Sequence, residues 1–252
     1  MKMKFLVILL LGFCFLHADE MDDQFGSKLL QAYPQEIKEY KNNKITFFDG
    51  TQMSIDDFSQ DKTIEMKLKE PSLKDQMSLK YIKVSKNPSY VPHVNESPGR
   101  MRYLPFFEKM YGANQNEVQK HLVKIIWLPK SAHKTIFITS VNGVDKQLQA
   151  VSNELDALPE NIKSFVKNLS GTYCWRDVAN TNRLSPHCFG IAIDISAKRS
   201  NYWLWDKEKN DFSYKNQIPL EIVKIFEKHG FIWGGRWYKY DTMHFEYRPE
   251  LL

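Results

Sequence analysis

At 252 residues, 42% hydrophobic and 26% charged, the chain is long enough for one well-buried domain with an extension, or for two small domains. Its formal charge of +5 is modest, and it contains no basic block or aromatic–basic stripe, which argues against a nucleic-acid partner. No collagen, coiled-coil or low-complexity bias is present.

Lys2 and Lys4 precede an apolar run from Phe5 to Leu16, which gives way to His17-Ala18 and then to acidic Asp19-Glu20. This order predicts a secretory signal peptide over residues 1–18, cleaved after Ala18, with an uncleaved anchor as the alternative. The run is short for a transmembrane helix, and no later stretch is apolar enough to span a bilayer. The expectation is an exported protein acting in the periplasm or cell envelope, with no membrane span after cleavage. Loss of the two lysines leaves a mild positive charge, suited to loose attraction to an anionic polymer such as cell wall. Cys174 and Cys188 survive cleavage; outside the cytoplasm they either pair or remain two free thiols.

Residues 19–97 are polar and Lys-rich and read as an N-terminal extension packed on a main domain of residues 98–252. Within the extension, Ile45 to Phe48 before Asp49-Gly50 predicts a strand entering a turn, and the alternation of Glu65 to Lys69 predicts a half-exposed strand. The main domain opens near Pro98-Gly99-Arg100. Phe106, Phe107, Met110 and Tyr111 define a helix face ending at Gly112. Leu122 to Leu128 and Thr135 to Val141 are predicted strands, the second closed by an Asn142-Gly143 turn. Val144, Leu148, Val151, Leu155 and Leu158 recur at helical period, and Pro159 opens a further helix that turns Ile162, Phe165, Val166 and Leu169 inward, with Gly171 past its end. Pro219 starts another, stopped by Gly230, and Phe231 to Tyr247 reads as closing strands around a Gly234-Gly235 turn. Helices gathered ahead of antiparallel strands indicate the α+β class.

Two stretches carry chemistry. In the first, Ser185 to Ile195, His187 and Asp194 stand seven positions apart; Ile191, Ile193 and Ile195 alternate with Ala192 and Asp194, so a strand here buries the isoleucines and turns the carboxylate to the other face. In the second, Asp241 to Tyr247, His244 follows Asp241 by three and shares a strand face with Glu246. Asp241 is out of phase with His244 and must occupy the preceding turn to face the same space. His187, Asp194 and His244 suit an open Zn2+ site, in which three protein ligands leave a fourth position for water and a spare carboxylate moves its proton. Glu246 is open to three roles: the base, a partner of a ligand, or a structural acceptor. Arg176 suits a substrate carboxylate or a developing oxyanion, or else a salt bridge to Asp177; Arg183 and Ser185 are further candidates for orienting substrate. Tyr202 to Trp205 either wall a groove or pack in the core. His93, His121, His133 and His229 lie in no comparable context.

Ser-x-His-x2-Gly-x-Ala-x-Asp, from Ser185 to Asp194, and Asp-x2-His-Phe-Glu, from Asp241 to Glu246, resemble the M15 family of zinc D,D-carboxypeptidases and peptidoglycan endopeptidases. Trp233-Gly234-Gly235 and the upstream arginine resemble the subfamily of phage L-Ala-D-Glu endopeptidases. The resemblance covers roughly residues 171–249, and nothing in 19–97 has a counterpart. It implies a small hedgehog/D,D-peptidase-like α+β domain, with a small antiparallel sheet and helices on one side. It further implies His187, Asp194 and His244 as zinc ligands, Asp241 as general base, Arg176 as transition-state stabiliser, and the peptide stem of peptidoglycan as substrate. The rivals are a catalytically silent, zinc-stabilised cell-wall-binding protein and a zinc enzyme acting on non-wall peptides.

Overall fold

The computed structural model describes residues 24–178, 181, 183–205 and 213–252, so the expected export signal lies outside the described residues. Among the described residues, eight strands form three small antiparallel sheets: β1 (Ile37–Lys41), β2 (Lys44–Phe47) and β3 (Gln52–Ser54) in one; β4 (Leu122–Trp127) and β5 (Lys134–Thr139) in a second; and β6 (Ala192–Asp194), β7 (Phe231–Trp233) and β8 (His244–Tyr247) in a third, ordered β6-β8-β7. The helices are α1 (residues 24–32), α2 (Ile64–Lys69), α3 (Leu73–Gln76), α4 (Leu104–Tyr111), α5 (Gln115–Lys120), α6 (Val144–Asp156), α7 (Glu160–Lys163) and α8 (Leu220–Lys228). The mixture is compatible with the α+β class, with its pairing divided among three sheets rather than gathered in one.

The third sheet holds the chemistry in register. β8 lies between β6 and β7, pairing Asp194 with His244, Ile193 with Phe245 and Ala192 with Glu246. Because strand side chains alternate, Asp194, His244 and Glu246 share one face, while Ile193 and Phe245 turn to the other. On that second face α8 packs against β7, and Phe226 stacks on Phe245 with ring centroids 3.8 Å apart. α6 covers β4 and touches α8; its buried stripe is Val144, Leu148, Val151 and Leu155, four of the five positions marked by the sequence period. Asn142 (φ 51°) and Gly143 (φ 67°) make the left-handed turn ahead of α6.

Residues 24–97 share their core with this framework. Leu29, Tyr33, Ile37, Ile45 and Leu73 belong to one continuous apolar cluster with the main-domain core. Buried polar contacts cross the same boundary. Tyr33 Oη donates to Glu250 Oε2 (2.7 Å), and Tyr81 Oη and the Val84 N–H donate to Glu227 (2.8 and 3.0 Å).

Two expectations are corrected. Glu65 to Lys69 is a helix, α2, not a strand: Thr63 caps it by accepting the Met66 N–H, Glu65 stands in its first turn and Lys67 and Lys69 in its last, and these end signals outweigh the local alternation. The helix opened by Pro159 stops at Lys163 and does not run on toward Gly171. Gly171 instead exchanges backbone hydrogen bonds with Asp194, accepting from its N–H at 2.8 Å, so this stretch is committed to the third sheet. Cys174 and Cys188 are both free thiols.

Candidate active site

His187 is carried by a 3-10 turn, Pro186–Phe189. Pro186 suits its first position, and Ser185 caps it by accepting the His187 N–H at 3.4 Å. Gly190 ends the turn at φ 65°; a Cβ there would lie 2.7 Å from Leu122 Cδ2 and 3.0 Å from the Thr139 nitrogen, and its carbonyl accepts the Thr139 N–H. Only glycine fits the reversal that returns the chain to β6 directly beside His187.

The three motif residues converge. The ligand atoms of His187, Asp194 and His244 all lie within 4.8 Å of one another, and they are the triple of metal-ligating type found among the described residues. His187 Nδ1 lies 2.5 Å from the Thr172 carbonyl, which can only accept, so Nδ1 bears a proton, and Nε2 faces Asp194 Oδ2 at 3.2 Å. That Nε2 is buried and has no hydrogen-bond partner. His244 Nδ1 meets Asp194 Oδ1 at 2.9 Å, and its Nε2 meets Glu246 Oε2 at 3.2 Å. Burial disfavours the His244 cation, but hydrogen bonds to Asp194 and Glu246 outweigh it and raise its pKa to about 9. Asp194 is likewise held well below the usual carboxylate range: burial opposes this, and His187 and His244 more than offset it.

These groups fit a divalent cation. An orphaned imidazole nitrogen, a carboxylate at the centre and a second imidazole whose far nitrogen rests on a carboxylate match the donor types and outer support that such an ion takes. A cation at Nδ1 of His244 would displace a proton there and leave Nε2–H on Glu246.

Asp241 occupies the turn before β8, as its phase requires. Its N–H donates to the Gly234 carbonyl (3.0 Å), and its own carbonyl accepts the His244 N–H (3.2 Å). A Cβ on Gly234 would fall 2.4 Å from the Asp241 oxygen, so the Gly234-Gly235 turn is what lets Asp241 approach. Its Oδ1 is buried without a partner. Burial pushes its pKa up to about 6, with Asp194 adding to the rise and His244 and Arg100 opposing it.

A cavity of about 310 Å³ is lined by His187, Asp194, Asp241 and His244, together with Ser185 and Arg176. Arg176 is exposed, and its guanidinium bonds the Asp177 backbone carbonyl (3.4 Å) rather than the Asp177 carboxylate. Arg183 is committed elsewhere: its Nη1 donates to the carbonyls of Leu68 (2.9 Å) and Arg100 (3.3 Å). Glu246 is fully buried, held by Arg102 (2.8 Å), Arg248 (2.9 Å) and His244. Burial works to raise its pKa, yet Arg102, His244 and Arg248 hold it far below the usual range, as a permanent anion behind His244.

Sequence reasoning missed Arg100, Arg102 and Trp237, which also line the cavity, and left Tyr202 and Trp205 open between groove and core. Tyr202 and Trp205 are at the cavity, with Trp205 58% exposed. Arg100-x-Arg102 beside Pro98-Gly99 was the available signal, but the pair carries no motif and its placement depends on contacts far along the chain. A larger cavity, about 710 Å³, lies along residues 54–72 and 102–105 and contains none of the three chelating side chains.

The geometry defines a class: an open chelating centre, three ligand side chains facing a cavity with a fourth carboxylate beside them. Residues 179–247 match the model of an M15 peptidase family described as D-alanyl-D-alanine carboxypeptidase. Over 67 residues the chain is 36% identical to the peptidoglycan L-alanyl-D-glutamate endopeptidase CwlK of Bacillus subtilis (strain 168), an alignment covering 26% of this chain and 40% of that relative. The chain therefore spans less than half the length of that curated relative. No solved structure matches the chain. The M15 resemblance carried by the two motifs is shown for this segment, which holds Asp194, Asp241 and His244 and the turn bearing His187.

Proposed function

We propose that the protein is a zinc-dependent peptidase that hydrolyses a peptide bond in the stem of bacterial peptidoglycan. The observation that carries this reading is the buried, unpartnered Oδ1 of Asp241 in the same cavity as the convergent His187, Asp194 and His244. His187 Nε2, an Asp194 oxygen and His244 Nδ1 would hold the ion, which when bound supplies Lewis acidity and makes a water acidic near neutral pH.

The remaining work falls to the chain. Asp241, with its carboxylate drawn toward neutrality, accepts a proton from the attacking water and returns it to the leaving amine. Arg176, on the exposed side of the cavity, steadies the developing oxyanion. Thr172 and Glu246 fix the imidazoles from behind, and Arg102 and Arg248 keep Glu246 ionised. We assign the reaction to residues 98–252, with the extension bracing that unit through the shared core and Glu227 and Glu250. A wall substrate places the action outside the cytoplasm; among the described residues no helix is long and apolar enough to cross a membrane.

The test is mass spectrometry of muropeptides incubated with zinc-loaded protein beside a His187→Ala control. Cleavage within the stem or loss of a terminal alanine, absent in the control, is the expected result. Unchanged muropeptides with one tightly held zinc would move the protein to the silent wall-binding class.

A further inference from the structure

The cavity is also lined by two cations to which the proposed reaction assigns no contact with substrate. Arg100 and Arg102 both line it, and both lie well before residue 179, where the family match begins. Three consecutive carbonyls fix the segment that delivers them: Trp237 Nε1 donates to Pro98 O (2.5 Å), Arg248 Nη1 to Gly99 O (3.1 Å) and Arg183 Nη1 to Arg100 O (3.3 Å). Gly99, at φ 92°, makes the bend between them. The Arg100 guanidinium lies over the Trp237 indole, 4.1 Å from the ring centroid, with Nη2 on the Lys239 carbonyl (3.2 Å). Arg102 leans one Nη on Glu246 (2.8 Å). The Nε of each is buried and has no partner.

Two guanidinium groups lining the cavity of the reacting centre, each with one terminal nitrogen on a protein acceptor and the other terminal nitrogen left to donate, form a receptor for a planar anion. The chemistry of the substrate names that anion. In a D-Ala-D-Ala terminus the leaving residue bears a free α-carboxylate. In the L-Ala-D-Glu bond the stem continues through the γ-carboxyl of D-Glu, so there too the leaving residue keeps a free α-carboxylate. Either bond would bring a free carboxylate into the cavity that Arg100 and Arg102 line.

We propose that Arg100 and Arg102 form the subsite for the free α-carboxylate on the residue whose amine departs, and so select which peptide bonds the site accepts. This deepens the peptidase reading and rests on it. The pair binds substrate in the ground state and the transition state alike, so its loss is expected in KM more than in kcat.

Two peptides test it, N-acetyl-L-Lys-D-Ala-D-Ala and L-Ala-γ-D-Glu-L-Lys, each beside the same peptide with that one carboxylate converted to a carboxamide. With zinc-loaded wild type, the amide of whichever peptide is cut should show KM raised about 10–100-fold with kcat nearly kept. The preference should collapse in Arg100→Ala and return in part in Arg100→Lys. Arg102→Lys, which retains a cation for Glu246, should weaken it without loss of folding. Calorimetric binding of the same four peptides to the zinc-free chain gives a readout independent of turnover. Carboxylate preference there, lost in Arg100→Ala, supports the subsite even if no peptide is cut and the peptidase reading fails. Equal KM, or equal binding of acid and amide, would overturn the subsite while leaving cleavage itself untouched.

Discussion

Asp194 and His244 are cross-strand partners whose side chains also meet, Oδ1 to Nδ1 at 2.9 Å, across the β6–β8 ladder. The backbone register and the chelating contact are therefore one constraint. A slip of one residue on either strand would send the imidazole to the Phe245 face and dismantle the site without disturbing the core's composition.

Asp241 shares the cavity, but its side chain is not among the three convergent groups. Asp241→Asn should bind one zinc as wild type does, by metal analysis after dialysis, while turnover falls about 10²–10⁴-fold, the usual weight of a positioned acid–base group. Full activity in that variant would remove Asp241 from the mechanism.

Glu246 is buried between His244 and two arginines. Glu246→Gln keeps the shape but removes the charge, leaving Arg102 and Arg248 less compensated and His244 less firmly oriented. Zinc affinity, measured by chelator competition, should weaken about 10–100-fold. Urea unfolding should show a loss of roughly 3 kcal/mol, as expected when a buried ion pair loses one partner.

Gly234→Ala tests the turn that delivers Asp241. The added methyl would meet the Asp241 oxygen at 2.4 Å and the Trp237 ring at 2.9 Å, so backbone must shift. A destabilisation of about 1–3 kcal/mol is expected, read as a lower Tm, with activity falling further than stability because Asp241, the proposed proton acceptor, moves.

Asp156 supplies a pH test away from the proposed metal ligands. It is buried and accepts hydrogen bonds from the Lys130 N–H and Ser131 Oγ. Burial pushes its pKa up, but these bonds outweigh it, and the folded-state value lies below the ordinary one. A depressed carboxylate contributes stability that is present above its unfolded pKa, roughly 3.9, and that is lost as pH falls through the folded value. Asp156→Asn should therefore cost about 2 kcal/mol at pH 7, and the gap from wild type should narrow in urea titrations carried below pH 4.

Zinc removal should lower Tm and zinc return should restore it. At free zinc 100-fold above Kd, the bound ion adds about 2.7 kcal/mol to the folded state. A Tm indifferent to chelation would count against His187, Asp194 and His244 as ligands.

The chain's local chemistry was legible wherever neighbours in sequence decide the outcome. The helical period of Val144 to Leu155, the Pro219 start and Gly230 stop of α8, and the alternation around Asp194 all appear in the folded chain. Where two local signals competed, as in Glu65 to Lys69, the capping residue Thr63 and the end charges prevailed over a short alternation. The residues of the two motifs could be selected as candidates because their spacing sets which way each side chain points. Their convergence within 4.8 Å was beyond the sequence, since it depends on β8 entering between β6 and β7. The same holds for Arg100 and Arg102, which nothing local marks, and for Arg183, which looked close to His187 in the chain yet is tied to Leu68. The sequence by itself determined which residue types and strand phases could make a chelating face. The tertiary structure alone decided which cations surround it, because those arrive from distant segments held by buried hydrogen bonds that no local pattern encodes.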